Sequence, residues 1–209
     1  MNPFICTYTN KCKDYCDKQF FDNLKIISGE NEPVVVDNTV GTDYTPKLLS
    51  MGVFVVPLWV DPSPERTFFL RSVANSANVL RDIFLASGED HFLVIESDVT
   101  PPHDLLVRLS KRVEELGDDW GAIGALYYPG FHDYSLKGLQ QTHHVLSGCT
   151  LYNRKLIEST PFRWSEENLD AFPDAFMSLD AKEKGYKLYN DHDIHCGHLY
   201  NLKNGSRVS

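Results

Sequence analysis

Residues 92–106, FLVIESDVTPPHDLL, run from mostly apolar side chains into Glu96, Ser97 and Asp98 and then stop at a double proline. A short apolar run closed by turn residues reads as a buried strand, where acidic side chains are costly unless something pairs with them. Carboxylates two residues apart on an extended chain point the same way, and they repel unless a cation, a proton or hydrogen-bond donors intervene. A hard divalent ion, Mn2+ or Mg2+, resolves that conflict and leaves positions for phosphate oxygens. The rival reading is local, with Asp98 capping the following turn and Glu96 reaching solvent.

Working outward, residues 67–87 repeat Phe69, Val73, Ala77, Leu80 and Phe84 on one helical face, and Gly88 ends that helix. A second helix is expected over 102–116, with Pro102 and Asp104 in its first turn. Toward the N-terminus, strands are expected at 4–8, from Pro33 through VVVDNT, and at 53–60, the last closed by the DPSP turn. A helix is expected over 12–27. Toward the C-terminus come strand WGAIGALYY, a polar loop over 130–141, strand HHVLSGCTLY, a helix from Arg154, a helix over 173–184 stopped by Gly185, and strand YKLYND. This alternation predicts a layered α/β fold, a mixed and mainly parallel sheet flanked by helices. Its ligand site is expected at the carboxyl ends of the strands, which makes neighbours of Tyr8, Thr9 and Asn10, of Asp37 and Asn38, and of Glu96 to Asp98.

Composition bounds the function. The 209 residues, 42% hydrophobic and 23% charged, suffice for a single domain spanning 1–209. A net charge of -9 with no long basic run argues against nucleic acid as a partner. No apolar stretch approaches the roughly 20 residues of a transmembrane helix. The start MNPFICTYTN lacks a signal-peptide pattern, so a cytoplasmic location is expected. Cys6, Cys12, Cys16, Cys149 and Cys196 form no CxxC pair; Cys12 and Cys16, one helical turn apart, read as small hydrophobes or free thiols, with a redox or half-metal role as the alternative. In DHDIHCGHLY, His192, His195 and His198 recur every third residue beside Asp191, Asp193 and Cys196. That pattern suits a zinc site, a histidine-rich turn or half of a metal site completed elsewhere.

The order of these segments resembles the GT-A glycosyltransferases, nucleotide-sugar-dependent enzymes with an acidic DxD motif after the fourth strand. ICTYTNKCKDY is similar to the family's first strand and PTYN turn, and VVVDNT to its VVDDGS element. ASGEDHFLVIESDV resembles the stretch carrying DxD, with Glu96 in place of the first Asp. SGCTLYNRKLIE resembles SGGAMLFRRELLE, the strand beneath the donor sugar. FPDAFMSLDAKEKGYKL resembles EDVDLCLRARAAGYR, with Pro173 in place of the Glu and Gly185 eleven residues beyond Asp174, as in the family. HCGHLY resembles the ending in which a histidine completes the metal site.

The resemblance covers about nine-tenths of the chain, residues 4–200. It implies transfer of a sugar from a nucleoside diphosphate sugar to an acceptor hydroxyl, with inversion. Its implied roles are Asp174 as general base, Asp98 and His198 as ligands of Mn2+ or Mg2+, and Thr7, Tyr8, Asp37, Glu96, Ser97, Asp98, Ser147 and Gly148 as donor-binding residues. The acceptor's class stays open, as does assembly into a homo-oligomer.

Local rivals stand beside these roles. Tyr8 is equally a core aromatic, Asp37 a turn-former, Asp174 a helix N-terminal acid, and His198 a solvent-facing residue. Two other function classes compete: a non-catalytic nucleotide- or zinc-binding module with a degenerate site, and a nucleotidyltransferase. The latter calls for a Gly-rich phosphate loop, and TYTNKCKDY contains no glycine.

Overall fold

The computed structural model describes residues 1–41, 43–59, 66–127 and 135–200. In chain order the strands are β1 (Phe4–Thr9), β2 (Val34–Asp37), β3 (Phe54–Pro57), β4 (His91–Ile95), β5 (Val99–Thr100), β6 (Trp120–Leu126), β7 (Leu139–Thr142), β8 (Cys149–Asn153), β9 (Lys187–His195) and β10 (Gly197–His198). The helices are α1 (Asp17–Ser28), α2 (Tyr44–Ser50), α3 (Arg66–Ser87), α4 (Leu105–Leu116), α5 (Arg154–Ser159) and α6 (Pro173–Glu183). Among the described residues, eight strands form one sheet in the order β3-β2-β1-β4-β8-β6-β9-β7, and β5 and β10 make a small second ladder.

The expected layered α/β fold is present. Strands β3, β2, β1 and β4 run parallel, β8 is antiparallel to both β4 and β6, and β9 runs parallel to β6. Both faces of the central strands are covered, which is why their sequences read as continuous apolar runs. Successive side chains part to opposite faces. Ile5, Val35 and Leu93 pack with Phe20, Leu24, Leu48 and Leu109 of α1, α2 and α4. Phe4, Cys6, Val36 and Phe92 pack with Leu80 and Phe84 of α3, Ile157 of α5 and Met177 of α6.

Local departures from the sequence reading have local causes. The helix expected over 12–27 begins only at Asp17. Asn10 instead caps a 3-10 turn, Lys11–Lys13, by accepting from the Cys12 N–H at 3.1 Å. The strand expected over 53–60 is confined to β3, a half-exposed edge ending in Pro57, which cannot donate to a ladder. Helix α2, for which the sequence reading gave no element, lies between β2 and β3 and seats Tyr44 and Leu48 in the core. Of the strand expected in HHVLSGCTLY only β8 forms. Part of the expected polar loop is β7, paired antiparallel with β9. Asp61 to Pro64 of the DPSP turn, Tyr128 and residues 130–134 of the 130–141 loop lie outside the described residues. Among the described residues, no helix is long and apolar enough to cross a membrane.

Candidate active site

Glu96 leaves the end of β4, and the chain turns at once: the Val99 N–H donates to the Glu96 carbonyl at 2.9 Å, closing a tight turn over Ser97 and Asp98. Glu96 and Asp98 therefore do not lie side by side on an extended strand, as their spacing suggested, but serve two neighbouring groups. Glu96 Oε1 accepts from Tyr8 Oη at 3.1 Å and from Ser147 Oγ at 2.5 Å. Ser147 stands there because Cys149 of β8 pairs with Ile95 of β4 and the Glu96 N–H donates to the Gly148 carbonyl at 2.9 Å.

Asp98 faces a lysine and a histidine. Its Oδ1 accepts from Lys13 Nζ at 2.9 Å, and its Oδ2 lies 3.5 Å from His198 Nε2. His198 is delivered by the small ladder, in which it pairs with Val99 while the Leu199 N–H donates to the Asp98 carbonyl at 2.7 Å. Burial pushes the Asp98 carboxyl up, but the hydrogen bond with His198 and the charge of Lys13 outweigh it and hold the group below the usual carboxylate range.

Asp174 sits in the first turn of α6 beside Pro173, a residue pre-organised for a helix start. Its Oδ1 accepts from the Ala175 N–H at 2.8 Å and its Oδ2 from the Ser147 N–H at 3.1 Å, with His144 Nε2 at 3.9 Å. Burial raises the pKa of this carboxyl above the ordinary carboxylate value. The nearby charge of Glu96 adds to that, and His144 and the two backbone donors only moderate it. A buried acid raised in this way is suited to take up a proton.

A cavity of about 270 Å3 is lined by Glu96 and Asp174, and Asp98 adjoins it through Lys13. Tyr8, Glu96, Ser147 and Asp174 form its polar side, while Phe68 and Phe69 of α3, with Phe162 and Phe172, form an apolar wall. Lys13, Asn10 and Asn38 close the end nearest β1 and β2.

The structure brings together Tyr8, Glu96, Ser147 and Asp174 around the cavity, and Asp98 and His198 at its neighbouring corner. It does not bring Thr7, Asp37, Ser97 or Gly148 to the cavity surface. Thr7 is fully buried with its hydroxyl directed at the Tyr8 carbonyl, and Ser97 is buried in the turn. Asp37 spends both oxygens locally, on the Thr39 N–H at 2.9 Å and on Thr45 Oγ1 at 2.5 Å, which matches its rival reading as a turn-former. Gly148 lies against Tyr127, where a Cβ would come within 2.2 Å of the ring.

The histidines of 192–198 do not converge as a zinc site: His192 is buried on β9, His195 is exposed, and His198 goes to Asp98. Among the described residues no three His, Cys, Asp or Glu side chains cluster as metal ligands. Asp98 and His198 alone still fit a divalent ion. One carboxylate oxygen and one imidazole nitrogen are donor types that suit Mn2+. Lys13 and His144 were missed by sequence reasoning: Lys13 carries no motif, and His144 belonged to a segment read as strand.

A scan against protein-family models and a search of curated protein sequences give no match, whereas solved structures align over almost the whole chain. The mannosyltransferase PcManGT of Pyrobaculum calidifontis, solved with GDP-Man and Mn2+, aligns over 96% of this chain and 58% of its own, at TM-score 0.65 and 16% identity. The TarS 1-349 structure of S. aureus with UDP-GlcNAc aligns over 99% of this chain and 62% of its own, at TM-score 0.66 and 15% identity. The chain has the GT-A fold. Glucosyl-3-phosphoglycerate synthase of Mycobacterium tuberculosis, solved with Mn2+, UDP and glucosyl-3-phosphoglycerate, superposes with TM-score 0.56 over 96% of this chain and 73% of its own, at 15% identity. This GT-A chain spans about six-tenths of the first two structures.

Proposed function

We propose that the chain transfers a sugar from a nucleoside diphosphate sugar to an acceptor hydroxyl, with inversion at the anomeric carbon. The observation that carries this reading is Asp174: a buried carboxylate at a helix start, its pKa raised, on the polar side of the cavity with Glu96. The donors bound by similarly folded proteins, GDP-Man and UDP-GlcNAc, support it.

In this reading the acceptor hydroxyl meets Asp174, which takes its proton as the acceptor oxygen attacks the anomeric carbon. The bond from that carbon to the diphosphate oxygen breaks on the opposite face, and the electron pair leaves with the diphosphate. Tyr8 and Ser147 fix the Glu96 carboxylate, which meets hydroxyls of the donor. The Phe68, Phe69, Phe162 and Phe172 wall keeps water from the reacting carbon. A divalent ion, Mn2+ or Mg2+, held by Asp98 and His198 would supply Lewis-acid neutralisation of the leaving diphosphate.

Screening nucleotide sugars for thermal stabilisation tests the reading, because a donor that binds only the native state raises its stability by mass action. Transfer or donor hydrolysis by the stabilising compound, lost in Asp174→Asn, supports an enzyme. Stabilisation without turnover, in the presence of Mn2+ and candidate acceptors, points instead to a non-catalytic nucleotide-binding module.

A further inference from the structure

Lys13 belongs to both halves of the site, lining the cavity while its ammonium contacts Asp98 Oδ1 at 2.9 Å. Its backbone is fixed from both sides. The Lys13 N–H donates to the Asn10 carbonyl at 2.8 Å, the Cys16 N–H donates to the Lys13 carbonyl at 3.1 Å, and the Cys16 thiol spans the Lys13 and Ser97 carbonyls at 3.0 and 3.3 Å. The side chain is 25% exposed and its Asp98 partner 11%. Neighbouring Lys11 points away, paired with Asp43, and is about half exposed.

The charges around Lys13 are lopsided. Glu96 and Asp174 line the cavity with it, Asp98 adjoins, and a nucleoside diphosphate would bring more negative charge. An ammonium has hydrogen-bond donors to spare after one is given to a carboxylate, and lysine binds phosphate as a compact point charge. We propose that Lys13 is a diphosphate-binding residue, bridging Asp98 and the donor's phosphate oxygens, so that part of nucleoside-diphosphate binding persists without a divalent ion. This rests on the glycosyl-transfer reading above and adds to it a cation built into the chain.

The test is calorimetry of UDP and GDP binding to the full chain, each with Mn2+ and with EDTA, for the parent, Lys13→Met and Lys13→Arg. The parent is expected to keep measurable binding of one of the two in EDTA. Lys13→Met should weaken that binding about 10-fold or more, on the scale of one charge-assisted hydrogen bond, and make what remains depend on Mn2+. Lys13→Arg should restore most of it. Parent binding that vanishes in EDTA and returns with Mn2+, or EDTA binding equal in Lys13→Met and parent, would overturn the role of Lys13 while leaving glycosyl transfer intact. Failure of both nucleotides under both conditions would instead remove the glycosyl-transfer reading, and Lys13's role with it.

Discussion

Asp98 and Asp174 are the same residue type and equally buried, at 8% exposure, yet their surroundings drive their acidities in opposite directions. Asp98 answers to Lys13 and His198, which hold it ionised. Asp174 has two backbone donors and a more distant His144, which do not overcome its burial and the charge of Glu96. Environments that push two carboxyl groups apart suit them to different work, and in the proposed reading one holds positive charge and the other accepts a proton.

That contrast can be broken experimentally, and the largest effect belongs to turnover. Asp174→Asn is expected to lower kcat by about 10²-fold to 10⁴-fold while leaving nucleoside-diphosphate affinity nearly unchanged, the range for losing a general base. Asp98→Asn should do the reverse, erasing the difference between affinities measured with Mn2+ and with EDTA. Steady-state kinetics paired with calorimetry separates the two, and identical profiles would abolish the distinction.

Gly148→Ala comes next. Its Cβ would meet the Tyr127 ring, which packs edge-on against His198 at 5.7 Å between ring centres. The expected loss is about 1–3 kcal/mol by denaturant unfolding, typical of overpacking, with weakened Mn2+ response because His198 shifts.

Stability against pH sharpens the comparison further. A folded-state value below the unfolded one makes Asp98 a stabilising charge, lost as pH falls through that depressed value. Asp98→Asn should therefore cost about 1 kcal/mol at pH 7, between an exposed and a buried pair, with the gap closing in acid. A raised folded-state value makes ionised Asp174 a burden that disappears as pH falls through it. Asp174→Asn should accordingly melt higher than the parent at pH 7, with the gain gone below the unfolded carboxyl range. Gaps of the same sign would show that one environment has been misread.

The smallest effect concerns His144→Gln. Removing that imidazole, which lowers the Asp174 value, should move the acidic limb of the kcat profile upward by a fraction of a pH unit. An unmoved limb would separate His144 from the base.

Much of the fold was legible because buried strands β1, β2, β4 and β6 are apolar on both faces and α3 keeps its helical repeat through Phe84. The α6 start was legible through Pro173 and Asp174. What escaped is what distant partners decide. The turn over Ser97 and Asp98 separates two acids whose spacing suggested a shared ligand, and β7 is a strand because β9 offers it an edge. Lys13 matters only because β1 and β4 end side by side. At Asp37 two readings coexist: its resemblance to a nucleotide contact stands beside a turn chemistry that its own neighbours Thr39 and Thr45 satisfy.

The ladder of β5 with β10 has a kinetic consequence. It joins Val99 to His198 across nearly half of the sequence, and contacts of such separation close slowly because the intervening chain must first be ordered. Strands β1 to β4 can emerge and pair during synthesis while Asp98 still lacks His198. Bringing His198 to Asp98 thus waits until the C-terminal ladder has closed.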